Sequence, residues 1–301
     1  MEGNQTLGNT LVSVVVPVHD PGILLEQTID SVLGQSVEDF ELLVIDDGST
    51  EDFSWVQGVD SRVRYLRTPN RGVSAARNLG VVIAGSDLVA FLDQDDLWHS
   101  SKLERQLAVL GEDDSLVHTG FDLIDEAGQR IGPGYGRAVS YRDMLAGELG
   151  ILLSSALVRR TTLQRVGLFN PLFRMQQDLD VFLRIAQVGP PVYVDSVEVN
   201  YRLHAANASR DYWRSAMEIL KLYELHELDA RSVNDRDALD ALDAGRKGVR
   251  RTYAHQAMNA ARHSLSEGRV ADTATALIRT LRLSPGVVAQ SAKSWVGERV
   301  S

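Results

Sequence analysis

Three aspartates, Asp93, Asp95 and Asp96, fall within four positions of this 301-residue chain, directly after the apolar run Leu88–Leu92. Carboxylates this close repel one another, so a compensating cation is a natural reason to keep them. Hard oxygen ligands favour Mg2+ or Mn2+ over zinc, and such an ion keeps open positions for substrate phosphates. The alternative is an acidic strand-to-loop junction that caps a following helix in water. A second acidic cluster, Asp46-Asp47-Gly48-Ser49-Thr50, ends another apolar run. It reads either as an Asx turn or as a carboxylate that accepts from a base or ribose, with Gly48 allowing close backbone approach. Arg77 lies on a helical stretch and pairs either with phosphate or with one of these aspartates. Asp178 and Asp180 open a further helical pattern, where capping competes with chemistry. His204 closes Tyr201-Arg202-Leu203-His204 and reads as a metal ligand, a diphosphate contact or a plain surface histidine.

These residues need a scaffold that brings distant segments to one edge. Val12–Val16, Glu41–Ile45, Val63–Leu66 and Leu88–Leu92 are short, nearly continuous apolar runs, the pattern of strands covered on both faces. Between the first two, Leu24, Leu25, Thr28, Ile29, Val32 and Leu33 recur at helical spacing, and a second helix fits Val73–Ile83. Strand, helix, strand in repeated order predicts an α/β fold, a mainly parallel sheet with helices on both faces. Ligands then bind beyond the carboxyl ends of the strands, where Pro17-Val18-His19-Asp20, Asp46-Asp47 and Asp93–Asp96 all fall. Residues 102–110 read as another helix, 128–136 as a mobile loop or hairpin, Leu152–Val158 and Pro191–Val199 as strands around a helix at Leu179–Val188. Beyond about residue 210 the pattern turns polar, Ala-rich and helical, which predicts a boundary there, with domains 1–210 and 211–301. Two helices within 254–285, joined near Gly268, resemble a single helix-turn-helix unit.

Composition narrows the function. With 44% hydrophobic and 24% charged residues the chain has the profile of a compact globular protein. A net charge of −10 opposes nonspecific nucleic-acid binding, which needs a basic footprint. The absence of cysteine excludes disulfides, thiolate catalysis and cysteine-ligated zinc, and suits a reducing compartment. Residues 1–10 lack the features of a signal peptide, and no 18-residue apolar stretch spans a bilayer, so a soluble protein is expected.

The ordered motifs resemble the inverting glycosyltransferases of family 2, which have the GT-A fold. The matching segments are Ser13–Asp20, Phe40–Thr50, Asn70–Gly80 and Phe91–Trp98, followed by Arg160–Phe169, Asp178-Leu179-Asp180 and residues 201–209. The resemblance covers roughly residues 11–210. It implies transfer of a sugar from a nucleotide diphosphate-sugar, most simply a UDP-sugar, to an acceptor hydroxyl. It places Pro17, His19, Asp20 and Asp47 around base and ribose, Arg77 near base or diphosphate, and Asp93 in the ribose and metal motif. It assigns the metal, Mn2+ or Mg2+, to Asp95 or Asp96, the general base to Asp178, and a loop over the diphosphate to His204. It further implies a glycan or lipid-linked acceptor in cell-surface polysaccharide synthesis and a cytoplasmic location, including the inner membrane face. The C-terminal helices are then expected to bind acceptor, form a homodimer or touch a membrane surface. Three positions depart from the usual pattern: Gln177 stands where Glu is common, Asn170 where an acid is common, and Gln94 where a small residue is usual. Competing readings are a nucleotidyltransferase, which lacks here the basic glycine-rich loop after the first strand, and a non-catalytic nucleotide-sugar-binding module.

Overall fold

The computed structural model describes residues 11–148, 150–204 and 211–288. The β-branched, unbroken run Val12–Val18 forms strand β1, and Phe40–Asp46 forms β2, both buried along their whole length. Val63–Arg67 (β3) and Leu88–Phe91 (β4) complete a parallel set in which β1 pairs with β2 and β4, and β2 with β3. Leu97–Trp98 (β5), Leu116–Ile124 (β6), Ala156–Arg159 (β7) and Val192–Arg202 (β8) extend the sheet to eight strands in the order β3-β2-β1-β4-β7-β6-β8-β5. Here the sheet is mixed, because β7 runs antiparallel to both β4 and β6, and β5 antiparallel to β8.

Helices cover both faces. Helix α1 (Leu24–Leu33) buries Leu25, Ile29 and Val32 in one core with Val12, Val14 and Val16. Helix α2 (Val73–Ile83) meets the opposite face at Gly80, where an added Cβ would lie 2.4 Å from Val15 Cγ1. Only glycine permits that approach. Helices α3 (Lys102–Val109), α4 (Tyr141–Leu145), α5 (Arg160–Val166) and α6 (Gln177–Ala186) follow.

Several sequence-based expectations change. Strand β6 was not anticipated, because His118, Thr119 and Asp122 interrupt its apolar run. The expected strand at 152–158 opens instead as a single 3-10 turn, Leu153–Ser155, and only Ala156–Arg159 pairs. For residues 128–136 the hairpin reading holds: antiparallel bridges join Phe121 to Tyr135 and Ile124 to Arg130, Phe121 and Tyr135 exchange two 2.7 Å backbone hydrogen bonds, and Gly136 lies so close to Gly120 that a Cβ would sit 2.5 Å from its Cα.

The remaining described residues form helices α7 (Tyr212–Ser232), α8 (Arg236–Ser266) and α9 (Val270–Leu283). Asp211 and Asp235 cap the first two by accepting from Arg214 N–H at 3.1 Å and Ala238 N–H at 3.0 Å. Gly268, with φ +73°, turns the chain between α8 and α9. The chain divides into two compact units, one of residues 1–141 and 150–205, the other of 142–149 and 206–301. Relative to a single break near 210, the segment 142–149 belongs with the helices. Its seat is specific: a Cβ on Gly245 of α8 would lie 2.0 Å from the carbonyl oxygen of Leu145. No helix among the described residues is long and apolar enough to cross a membrane.

Candidate active site

The carboxyl ends of β1, β2 and β4 share one edge, since these strands are parallel. The loop after β1 is held by its neighbours. Pro17 is buried inside β1, in register with Ile45. His19 is exposed, with Asn70 Nδ2 3.3 Å from its Nε2. Asp20 adopts φ +45°; its N–H donates to Ser49 Oγ at 3.0 Å, and its Oδ1 accepts from Thr50 N–H at 2.7 Å and Thr50 Oγ1–H at 2.9 Å. The two bonds from Thr50 lower the Asp20 pKa.

After β2 the two aspartates have separate jobs. Asp46 is fully enclosed and accepts from Ser49 N–H at 2.8 Å and from the Tyr65 hydroxyl at 2.5 Å. Asp47 accepts from the N–H groups of Arg71 and Gly72, both at 2.7 Å, and so ties β2 to the start of α2. Gly48 allows a close backbone approach, and the backbone it meets is that of Asn70: a Cβ there would lie 2.6 Å from Asn70 N.

The acidic loop after β4 shows three carboxylates in three environments. Asp93 Oδ1 accepts from Arg77 Nη2 at 2.6 Å. Asp95 Oδ2 meets His204 Nε2 at 2.6 Å. Asp96 is fully buried; its Oδ1 accepts from Arg202 N–H at 3.0 Å and its Oδ2 from Ser154 Oγ–H at 2.6 Å. Burial, with help from neighbouring carboxylates, raises the pKa of Asp95 and raises that of Asp96 further. Ser154 and Arg202 are functional residues that the motifs alone do not reveal. Arg202 donates through Nε to the Asp95 carbonyl at 2.9 Å, through Nη1 to the Glu126 carbonyl at 2.9 Å, and through Nη2 to Gln27 Oε1 at 2.9 Å. The signal in the sequence was the Arg in Tyr201–His204; Ser154 carried none.

Arg77 is 4% exposed, with its Nε and Nη1 unpaired among the described residues. Asp178, at the start of α6, accepts from Leu179 N–H at 2.8 Å and is close enough to Arg77 and Asp93 to feel both charges. Burial raises its pKa, while the Leu179 N–H and the Arg77 charge oppose that rise. Its neighbour Gln177 has a buried Oε1 without a hydrogen-bond partner among the described residues. Residues 205–209 of the last motif lie outside the described residues.

No three His, Asp or Glu side chains converge as a metal cage among the described residues. The fit for a divalent cation rests on Asp95 and His204, a hard oxygen facing an imidazole nitrogen, in a loop where burial makes negative charge costly. Two protein ligands leave open positions, as an ion that also binds substrate phosphates needs. Asp96 has both oxygens engaged and no exposed surface.

The sequence matches "Glycosyl transferase family 2" over residues 13–166. An uncharacterised glycosyltransferase of Rickettsia felis is 42% identical over 131 residues, which are 42% of this chain and 22% of that protein. The chain thus spans about a fifth of that relative. A Bacillus subtilis protein, TuaG, named as a teichuronic acid biosynthesis glycosyltransferase, is 30% identical over 226 residues, covering 71% of this chain and 87% of that one. Among solved structures, Staphylococcus aureus TarS 1–349 with UDP-GlcNAc has a TM-score of 0.58 at 14% identity, covering 89% of this chain and 90% of that one. That likeness shows a shared fold. Motif order, the shared strand-end edge and these matches together place the chain in glycosyl transferase family 2.

Proposed function

We propose that the protein transfers a sugar from a nucleotide diphosphate-sugar to a glycan or lipid-linked acceptor hydroxyl with inversion at the anomeric carbon. The observation that carries this reading is the convergence of Asp178, Arg77 and Asp93, from three separated segments, beside the acidic loop. Asp178 acts as general base: it takes the proton from the acceptor hydroxyl as that oxygen attacks, and its raised pKa makes it a better base near neutral pH. Arg77, buried with two unpaired donors, offers charge to the leaving diphosphate while holding Asp93 in place. His19, Asp20, Asp47 and Pro17 build the base and ribose end, with Asp47 acting through the backbone of Arg71 and Gly72. Asp95 and His204 would hold Mn2+ or Mg2+, an ion that stabilises charge on the leaving diphosphate. Asp96 fastens the loop from below.

A UDP-sugar is the favoured donor, in keeping with the UDP-GlcNAc complex of the structurally similar TarS. The named roles of TuaG and of the Escherichia coli chondroitin synthase, 28% identical over 205 residues, support a part in polysaccharide synthesis. The helical unit is assigned to acceptor binding, dimerisation or membrane-surface contact. The deciding experiment measures nucleoside diphosphate release from UDP-, dTDP- and GDP-sugars, with and without Mn2+ or Mg2+. Metal-stimulated release from one donor, lowered about 10²- to 10⁴-fold in Asp178→Asn, is expected. Failure of every donor to bind or react would overturn the proposal.

A further inference from the structure

The acidic loop and the loop after β1 are joined by one side chain. Gln94 Oε1 accepts from His19 N–H at 2.7 Å, and Gln94 Nε2 donates to the His19 carbonyl at 3.2 Å. Both hydrogen-bonding functions of the amide are spent on a single residue's backbone, in a closed ring only a carboxamide of this length can make. Behind it, the Gln94 carbonyl accepts from Thr28 Oγ1–H at 2.9 Å, so the clasp stands on α1 and is not free to swing.

What the clasp fixes is the segment bearing His19 and Asp20. Asp20 sits at φ +45°, a strained conformation for a side chain other than glycine, and is held there by Ser49 and Thr50. His19 in turn meets Asn70, next to the Arg71 and Gly72 N–H groups on Asp47. A line of contacts thus runs from the acidic loop through Gln94 and His19 to Asn70. No shorter side chain at position 94 would span the gap to the His19 backbone.

We propose that Gln94 is a positioning residue that pre-orders the base-binding loop against the acidic loop before nucleotide arrives. The inference rests on the nucleotide-sugar reading of the site. Pre-ordering lowers the entropy lost on binding and shows as affinity for the nucleotide, not as a faster chemical step.

The test compares the full chain with Gln94→Ala. Hydrogen exchange of the His19 amide needs no ligand; loss of the clasp should speed it at least about tenfold. Calorimetric binding of UDP, dTDP and GDP with Mn2+ present should show affinity for the accepted nucleotide weakened about five- to tenfold, the scale of two solvent-accessible hydrogen bonds. Donor KM should rise in parallel, with kcat and acceptor KM within about twofold of wild type. Unchanged His19 exchange, or faster exchange with unchanged nucleotide affinity, would refute the positioning role. A fall in kcat matching the rise in KM would refute it too. If wild type binds none of the three nucleotides, the nucleotide-sugar reading itself fails, a result distinct from failure of the clasp alone.

Discussion

The proton that leaves the acceptor hydroxyl sets the pH behaviour of the proposed reaction. Asp178 must be ionised to receive it, and burial holds its pKa above the ordinary aspartate value. The rate should therefore fall as pH drops through that raised pKa, with the acid limb of kcat/KM displaced upward from the ordinary aspartate range. Because the Arg77 charge lowers the Asp178 pKa, Arg77→Gln should move the acid limb to higher pH as well as slow turnover; an unmoved limb would assign it to another group. The carboxylates of the acidic loop separate just as sharply. Asn at position 96 keeps an acceptor for Arg202 N–H and can still bond the Ser154 hydroxyl, whereas Asn at position 95 loses the charge facing His204. Mn2+ titration should show Asp95→Asn weakening metal binding at least about tenfold, and Asp96→Asn doing so by much less. Equal losses would return Asp96 to the metal.

Among the elements, α3 carries an uncommon feature. Lys102 is fully buried, donates to Gln106 Oε1 at 2.7 Å and lies 3.9 Å from the Trp98 ring centroid. Burial lowers its pKa well below that of a free lysine. Between the folded and unfolded pKa values the unfolded chain binds more protons, so this residue makes stability rise with pH up to about 10.5, where the free lysine titrates. In urea unfolding at pH 7 and pH 10, Lys102→Met should show a smaller stability gain over that interval than wild type. Asp47 supports the start of α2, and Asp47→Ala should cost about 0.5–2 kcal/mol of stability and weaken nucleotide binding together. The legibility of these elements tracked their surroundings. β1, β2 and β4 are enclosed on both faces, so their composition alone announced them. β6 mixes polar and apolar residues and contains a bulge near Gly120, which hid it. Local spacing brought out the aspartates of the acidic loop, but not which of them turns inward: that depends on Ser154 and Arg202, 58 and 106 positions away. Likewise the glycine after Asp47 was recognised, but the backbone it accommodates belongs to a different loop.

At the scale of the molecule, the two compact units are not consecutive stretches of chain. Residues 142–148 pack with helices whose sequence lies far downstream, and Met144 and Leu145 are almost wholly buried. Gly245→Ala would drive a methyl group against the Leu145 carbonyl and the Tyr223 ring, so the helical unit should lose about 2–4 kcal/mol. Thermal unfolding followed by far-ultraviolet circular dichroism would show this as an earlier loss of helix. An unchanged midpoint would mean that this seat is loose. The same threading bears on how the protein is made. At a synthesis rate of about 5–20 residues per second, Gly245 leaves the ribosome about 5–20 s after Leu145. For that interval the 142–148 segment has no docking surface, and its apolar side chains are open to chaperones and proteases. An expression product stopped near residue 210 would stay in that condition, which makes aggregation, not an isolated catalytic unit, the expected outcome of such a truncation.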